Sequence, residues 1–136
     1  MSSRQLISSG TSWEPVVGYS RAVRVGNLIE ISGTTAMDGD HLIGRDNIYE
    51  QTRFILQKIS KVLAEAGATL NDVVRTRMYV TDISKWEDVG RAHGEVFKDI
   101  RPATSMVEVS ALINPDLLVE IEVTAFLIPE NDRIPN

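Results

Sequence analysis

Glu120 stands in the run Val119-Glu120-Ile121-Glu122, a carboxylate with an apolar residue on each side. Burial beside such neighbours raises the proton affinity of a carboxyl group and fits it to act as a general base or to orient a water. A cross-strand salt bridge accounts for the same residue equally well. Tyr19 follows Gly18 at the opening of an extended run, and Ser32-Gly33-Thr34 closes the next one, where backbone groups can approach a ligand. Taken singly neither is specific: Tyr19 reads more simply as a packed aromatic, and Ser32-Gly33 as the end of a strand. The histidines, His41 and His93, are far apart and lack companions at metal-ligand spacing, which argues against a zinc site. His93 falls in the apolar stripe of a helix, where a packed or half-buried role is favoured over a catalytic one.

Other chemistry is excluded by what the chain lacks. It has no phosphate-binding glycine loop, no H-E-x-x-H and no G-x-S-x-G, and it has no cysteine, so thiolate metal sites, disulfides and cysteine nucleophiles are ruled out. With 136 residues and 43% hydrophobic content, the chain 1–136 is expected to be a single domain with a sizeable core. Its net charge of −5 argues against binding nucleic acid through a whole-surface field. No stretch approaches the roughly 18 apolar residues of a membrane span, and the first residues lack the apolar segment of a signal peptide, so a cytoplasmic protein is expected.

Several elements must position these groups. Residues 19–25 and 28–33 read as strands joined by Gly26-Asn27, a hairpin pair, and residues 4–8 as a further strand before a loop holding Trp13, Glu14 and Pro15. Over 47–66, Ile48, Thr52, Ile55, Leu56, Ile59, Val62, Leu63 and Ala66 recur at helical spacing, with Asn47 and Glu50 as a capping box and Gly67 after the last turn. Residues 73–81 alternate, putting Val74, Thr76, Met78 and Val80 on one face and Arg75, Arg77 and Tyr79 on the other. Ser84 with Glu87 opens a second helix to Phe97, its stripe being Trp86, Val89, His93 and Phe97. Strands at 104–112 and 117–127 flank the turn Asn114-Pro115-Asp116, and the tail 129–136 is expected to be a loose end.

Two helices suffice to cover one face of such a sheet. The other face would carry Arg75, Arg77, Tyr79, Thr104, Met106, Glu108, Ser110, Glu120 and Glu122, too polar for a second core. It is either solvated, with Arg and Glu pairing across strands, or covered by neighbours in a closed oligomer whose clefts take small molecules.

The pieces Gly18-Tyr19-Ser20-Arg21-Ala22-Val23, Ile31-Ser32-Gly33, Arg101-Pro102-Ala103 with Val107-Glu108-Val109, and Leu118-Val119-Glu120-Ile121-Glu122 resemble the YjgF/Rid family, formerly endoribonuclease L-PSP, over nearly the whole chain. The resemblance implies an α/β (α+β) chorismate-mutase-like fold: a mixed six-stranded sheet with two helices packed on one face, assembled as a homotrimeric barrel with a cleft at each subunit interface. It further implies hydrolysis of small reactive enamines or imines to a keto acid and ammonia, with neither metal nor cofactor. By position, Glu120 matches the acid that orients the attacking water, Tyr19 the cleft tyrosine, and Ser32 and Gly33 the ligand-contacting turn.

The family's arginine after Pro-Ala, which forks onto a substrate carboxylate, is Thr104 here. Met106 stands where a cysteine is usual, Thr34 where a glutamine is common, and Gly90 where the helix carries asparagine. A threonine hydroxyl cannot replace bidentate, charge-assisted bonds, a loss on the order of several kcal/mol for an imino acid. The expected substrate is therefore an uncharged imine or a related metabolite, held by Tyr19, Ser32, Gly33, Thr34, Thr104 and Met106, unless Arg91 or Arg101 supplies an anchor. The competing expectation is a noncatalytic ligand-binding or regulatory trimer using the same cleft; a ribonuclease is a weaker third reading.

Overall fold

The computed structural model describes residues 4–129, so the tail expected at 129–136 lies, past Pro129, outside the described residues. In chain order the elements are β1 (Arg4–Ile7), α1 (Trp13–Val17), β2 (Ala22–Val25), β3 (Leu28–Thr34), β4 (Met37–Asp38), β5 (His41–Leu42), α2 (Ile48–Glu65), β6 (Val73–Val80), α3 (Trp86–Phe97), β7 (Ala103–Glu108) and β8 (Val119–Phe126). The main sheet has the order β1-β2-β3-β8-β6-β7, antiparallel throughout except for the parallel pair β6 and β7. This is the mixed α+β architecture expected, with β4 and β5 forming a separate small hairpin.

One sheet face packs against α2 and α3. Ile55, Leu56, Ile59 and Leu63 of α2 and Val89 and Phe97 of α3 meet Ile29, Ile31, Met78, Val80, Val119, Ile121 and Val123 in one continuous core. Removing each large aliphatic side chain from water contributes about 1.5–3 kcal/mol, which fixes the helices over the sheet. The α2 start is capped as its sequence indicates: Asn47 Oδ1 accepts from the Glu50 amide at 3.1 Å. Its end is marked by Gly67 at φ 86°, a conformation that favours glycine.

Several expectations are corrected. The first helical residues are not in a loop: Glu14 is buried, accepts from the Ser9 amide at 3.1 Å, and lies in α1. The second helix starts at Trp86 after a 3-10 turn, Ile83–Lys85, capped by Asp82, whose carboxylate accepts from the Ser84 amide at 3.0 Å. Ser84 is therefore a partner of the cap and not the cap. Trp86 is 56% exposed and leaves the apolar stripe. Val74 is 45% exposed because the β6–β8 register shifts between Val73 and Arg75, which turns Val73 inward in its place.

The largest correction concerns β7. Its parallel register sets Thr104 beside Thr76 and Met106 beside Met78, so both side chains share the helix-covered face. The adjacent Ser105 accepts from Arg75 Nη2 at 3.3 Å and belongs to the polar face. The polar face thus carries Arg75, Arg77, Tyr79, Ser105, Glu120 and Glu122, without Thr104 or Met106. Strand β7 also ends at Glu108, whose carboxylate accepts from the Ile83 amide at 3.0 Å.

Candidate functional site

The segment before β2 leaves α1 through Gly18, at φ 89°, and the amides of Gly18 and Tyr19 donate to the Glu14 carbonyl at 2.8 and 3.0 Å. This tight exit turns Tyr19 outward at the head of the β2–β3 hairpin. There the Ser32 amide donates to the Arg21 carbonyl at 3.0 Å and the Ser32 hydroxyl to the Ser20 carbonyl at 2.6 Å. Arg21 reaches across: its Nη2 donates to the Gly33 carbonyl at 2.6 Å, and its guanidinium carbon lies 5.9 Å from the centre of the Tyr19 ring. Lys58 of α2 ties down the chain after β3, donating to the carbonyls of Thr35 and Met37 at 3.0 and 2.7 Å.

Glu120, on the neighbouring strand β8, lies directly over Gly33. A Cβ at position 33 would stand 2.0 Å from Glu120 Oε2, so only glycine leaves room for the carboxylate. The register shift in β3 between Ile31 and Thr34 falls at the same place. Burial holds the Glu120 carboxyl above its usual range, the neighbouring Glu122 charge adds to this, and Arg21 opposes it. Among the described residues Glu120 is in no salt bridge, so the cross-strand ion pair considered for it is not what this carboxylate makes. Such a group holds a proton more readily than a surface glutamate and accepts one from water more readily when ionised.

Tyr19, Arg21, Ser32, Gly33 and Glu120 therefore form one group on and beside the polar face. Tyr19 and Ser32 also wall an open hollow of about 520 Å³ with Gly18, Ser20, Leu6 and Val23, which adjoins the group without including Glu120 or Gly33. Thr34 is not part of this surface: it is 1% exposed, and its hydroxyl donates to the Ser32 carbonyl at 2.8 Å. Arg91 stacks on Tyr49 at 3.9 Å and pairs with Asp88 at 3.6 Å. Arg101 donates to the Lys98 carbonyl at 3.0 Å. Neither is brought to Glu120; the guanidinium that stands there is Arg21.

A second group lies on the helix side of the edge strand. Exposed Thr104 and half-buried Met106 sit at the rim of the core, where Thr104 Oγ1 is 2.9 Å from Thr76 Oγ1, itself 2.9 Å from His93 Nε2. Burial lowers the His93 pKa and keeps the ring neutral near pH 7. His93 is packed, as its place in the helix suggested, with its ring centre 4.6 Å from that of Phe97, but it is also linked to Thr104. Sequence reasoning did not single out Arg21, although it stands in the Gly18–Val23 run, nor Thr76, whose hydroxyl among Val and Met was the available signal. Among the described residues no group of three or more His, Asp or Glu side chains is arranged to hold a metal, and no helix is long and apolar enough to cross a membrane.

A solved relative shares this fold. The family model for endoribonuclease L-PSP matches residues 10–127. The crystal structure of Rv2704 from Mycobacterium tuberculosis, of the YjgF/YER057c/UK114 family, is 55% identical and superposes with a TM-score of 0.84, covering 92% of this chain and all of that one. An uncharacterised protein of Streptomyces coelicolor is 38% identical over 120 residues, 88% of this chain and 90% of its own. The 3-aminoacrylate deaminase RutC of Acinetobacter baylyi is 30% identical over 108 residues, 79% of this chain and 85% of its own. With a family model spanning nearly all of the described residues and this sheet order, the chain belongs to the YjgF/Rid family.

Proposed function

We propose that this chain is a hydrolase of small reactive enamines or imines, working as a homotrimer with its sites between subunits. The observation that carries the reading is Glu120: a half-buried carboxylate of raised proton affinity, seated over Gly33 with Arg21 and Glu122 as its charged neighbours. In the ionised form it takes a proton from water as the oxygen adds to the C=N carbon and returns that proton to the nitrogen; the carbinolamine then collapses to a carbonyl as its hydroxyl proton passes, by way of the same carboxylate, to the nitrogen that leaves as ammonia. The relationship to a 3-aminoacrylate deaminase supports this reaction class.

Geometry as well as kinship supports a site shared between copies. Thr104 and Met106 lie on the opposite sheet face from Glu120, with β6 between their strands. One chain therefore cannot enclose a small ligand between the two groups, whereas the Glu120 group of one copy and the β7 edge of the next can. The substrate is an uncharged imine or a relative of one, because Thr104 offers no cationic fork where an imino acid's carboxylate would sit. A cytoplasmic setting belongs to the proposal, since a chain without cysteine depends on no oxidising compartment.

Ammonia release from a freshly formed neutral imine tests the reading. Glu120→Gln is expected to lower the rate about 100-fold, within the usual worth of a positioned base, with the oligomer intact. An unchanged rate sinks the role given to Glu120. The residues at 34, 104 and 106 favour one other reading, a trimer that binds its ligand without turning it over. A melting temperature raised by a metabolite that wild type leaves unaltered would establish that reading.

A further inference from the structure

Three polar contacts run outward from the core beside β7: His93 Nε2 to Thr76 Oγ1 at 2.9 Å, Thr76 Oγ1 to Thr104 Oγ1 at 2.9 Å, and Thr104 Oγ1 to the Pro102 carbonyl at 3.1 Å. Three hydrogen bonds need three protons. The two threonines supply one each, and a carbonyl supplies none. If Nε2 were bare, one contact would set lone pair against lone pair. With all three contacts kept as hydrogen bonds, the proton sits on Nε2 and every direction follows: Nε2–H to Thr76, Thr76 O–H to Thr104, Thr104 O–H to Pro102.

The burial pattern supports this accounting. Thr76 is 0% exposed, among Met78, Val80 and Val123, where an unpaired hydroxyl is costly, so its hydrogen bonds are held tightly. Thr104 is exposed on the edge strand. In that arrangement its oxygen gives its proton to Pro102 and one lone pair to Thr76, which leaves one lone pair uncommitted. What Thr104 offers a ligand is therefore an acceptor.

We propose that the His93–Thr76–Thr104 chain makes Thr104 a specificity-determining residue that selects ligands presenting an N–H donor, such as an imine, amine or amide, over ligands presenting a carboxylate. Thr76 and His93 act through Thr104 as positioning residues. This reverses the polarity an arginine would give the same spot and turns a missing cation into a positive preference. The inference rests on the reading above only in placing Thr104 on the wall of the intersubunit cleft.

Two measurements test it without requiring turnover. Nitrogen NMR of the His93 ring in the wild-type trimer is expected to show a protonated Nε2 and a bare Nδ1; the reverse tautomer overturns the proposal. Propanamide and propanoate, identical in skeleton, are then titrated while the Thr104 methyl signal is followed. Propanamide is expected to bind at least about tenfold more tightly, a difference of about 1.4 kcal/mol. Thr76→Val should bring that ratio close to one and Thr76→Ser should restore it. Equal affinities, a preference for propanoate, a ratio that survives Thr76→Val, or no response to either probe overturns the inference. Selective propanamide binding without ammonia release from any imine would uphold it and overturn the hydrolase reading instead.

Discussion

Glu120 and Gly33 act as a unit, because the carboxylate occupies the space a side chain at 33 would fill. Gly33→Ala is expected to displace the flexible end of Glu120 and lower ammonia release at least about tenfold, while the fold survives; circular dichroism and rate measured together check this. The raised Glu120 pKa also sets a pH dependence. In the window between the ordinary carboxylate range and the raised folded value, the folded state keeps a proton that the unfolded chain has released. Stability therefore falls as pH rises through that window, and the loss is complete above it. Glu120→Gln should melt higher than wild type, by a margin that widens with pH through the window and then levels off, as thermal melts across a pH series will show. A constant margin would mean that Glu120 titrates as an ordinary surface acid. Glu120, Tyr19 and Ser32-Gly33 each carry a simpler reading when taken singly, and it is the family resemblance that marks them together as a candidate site. Arg21 was not singled out, because only the fold shows its guanidinium crossing to the Gly33 carbonyl.

At the scale of elements, α2 was legible because its apolar residues keep one period over 18 residues and both ends carry cap signals. Ile59, fully buried between helix and sheet, is a fair probe of that packing. Ile59→Ala should destabilise the protein by about 2–5 kcal/mol in denaturant unfolding, through lost burial and the cavity left behind. A cost below about 1 kcal/mol would contradict the core described. The β2–β3 hairpin was legible for a similar reason, since Gly26-Asn27 permits few turns. The face of β7 was not: Thr104, Ser105 and Met106 carry no strong alternation, and their orientation is set by parallel pairing with a strand distant in sequence. Val74 was misplaced by a one-residue register shift, which no local pattern reveals.

At the scale of the whole molecule, the proposed trimer makes the two faces of the sheet the two walls of one cleft. The sequence made the polar face visible as an unpartnered surface, but the separation of Thr104 from Glu120 is a property of strand order, β8-β6-β7, and appears only in the folded chain. Sedimentation should give the mass of a trimer. The more direct test mixes two inactive variants: Glu120→Gln, which spoils one wall, and Thr104→Trp, which fills the other. In mixed trimers assembled from equal amounts, a site is intact when the Glu120 wall comes from the second variant and the β7 edge from the first, on average about one site in four. Ammonia release restored to about a quarter of wild type is the predicted result. A mixture no more active than either variant alone, once mixed trimers are shown to have formed, would contradict a site shared between subunits.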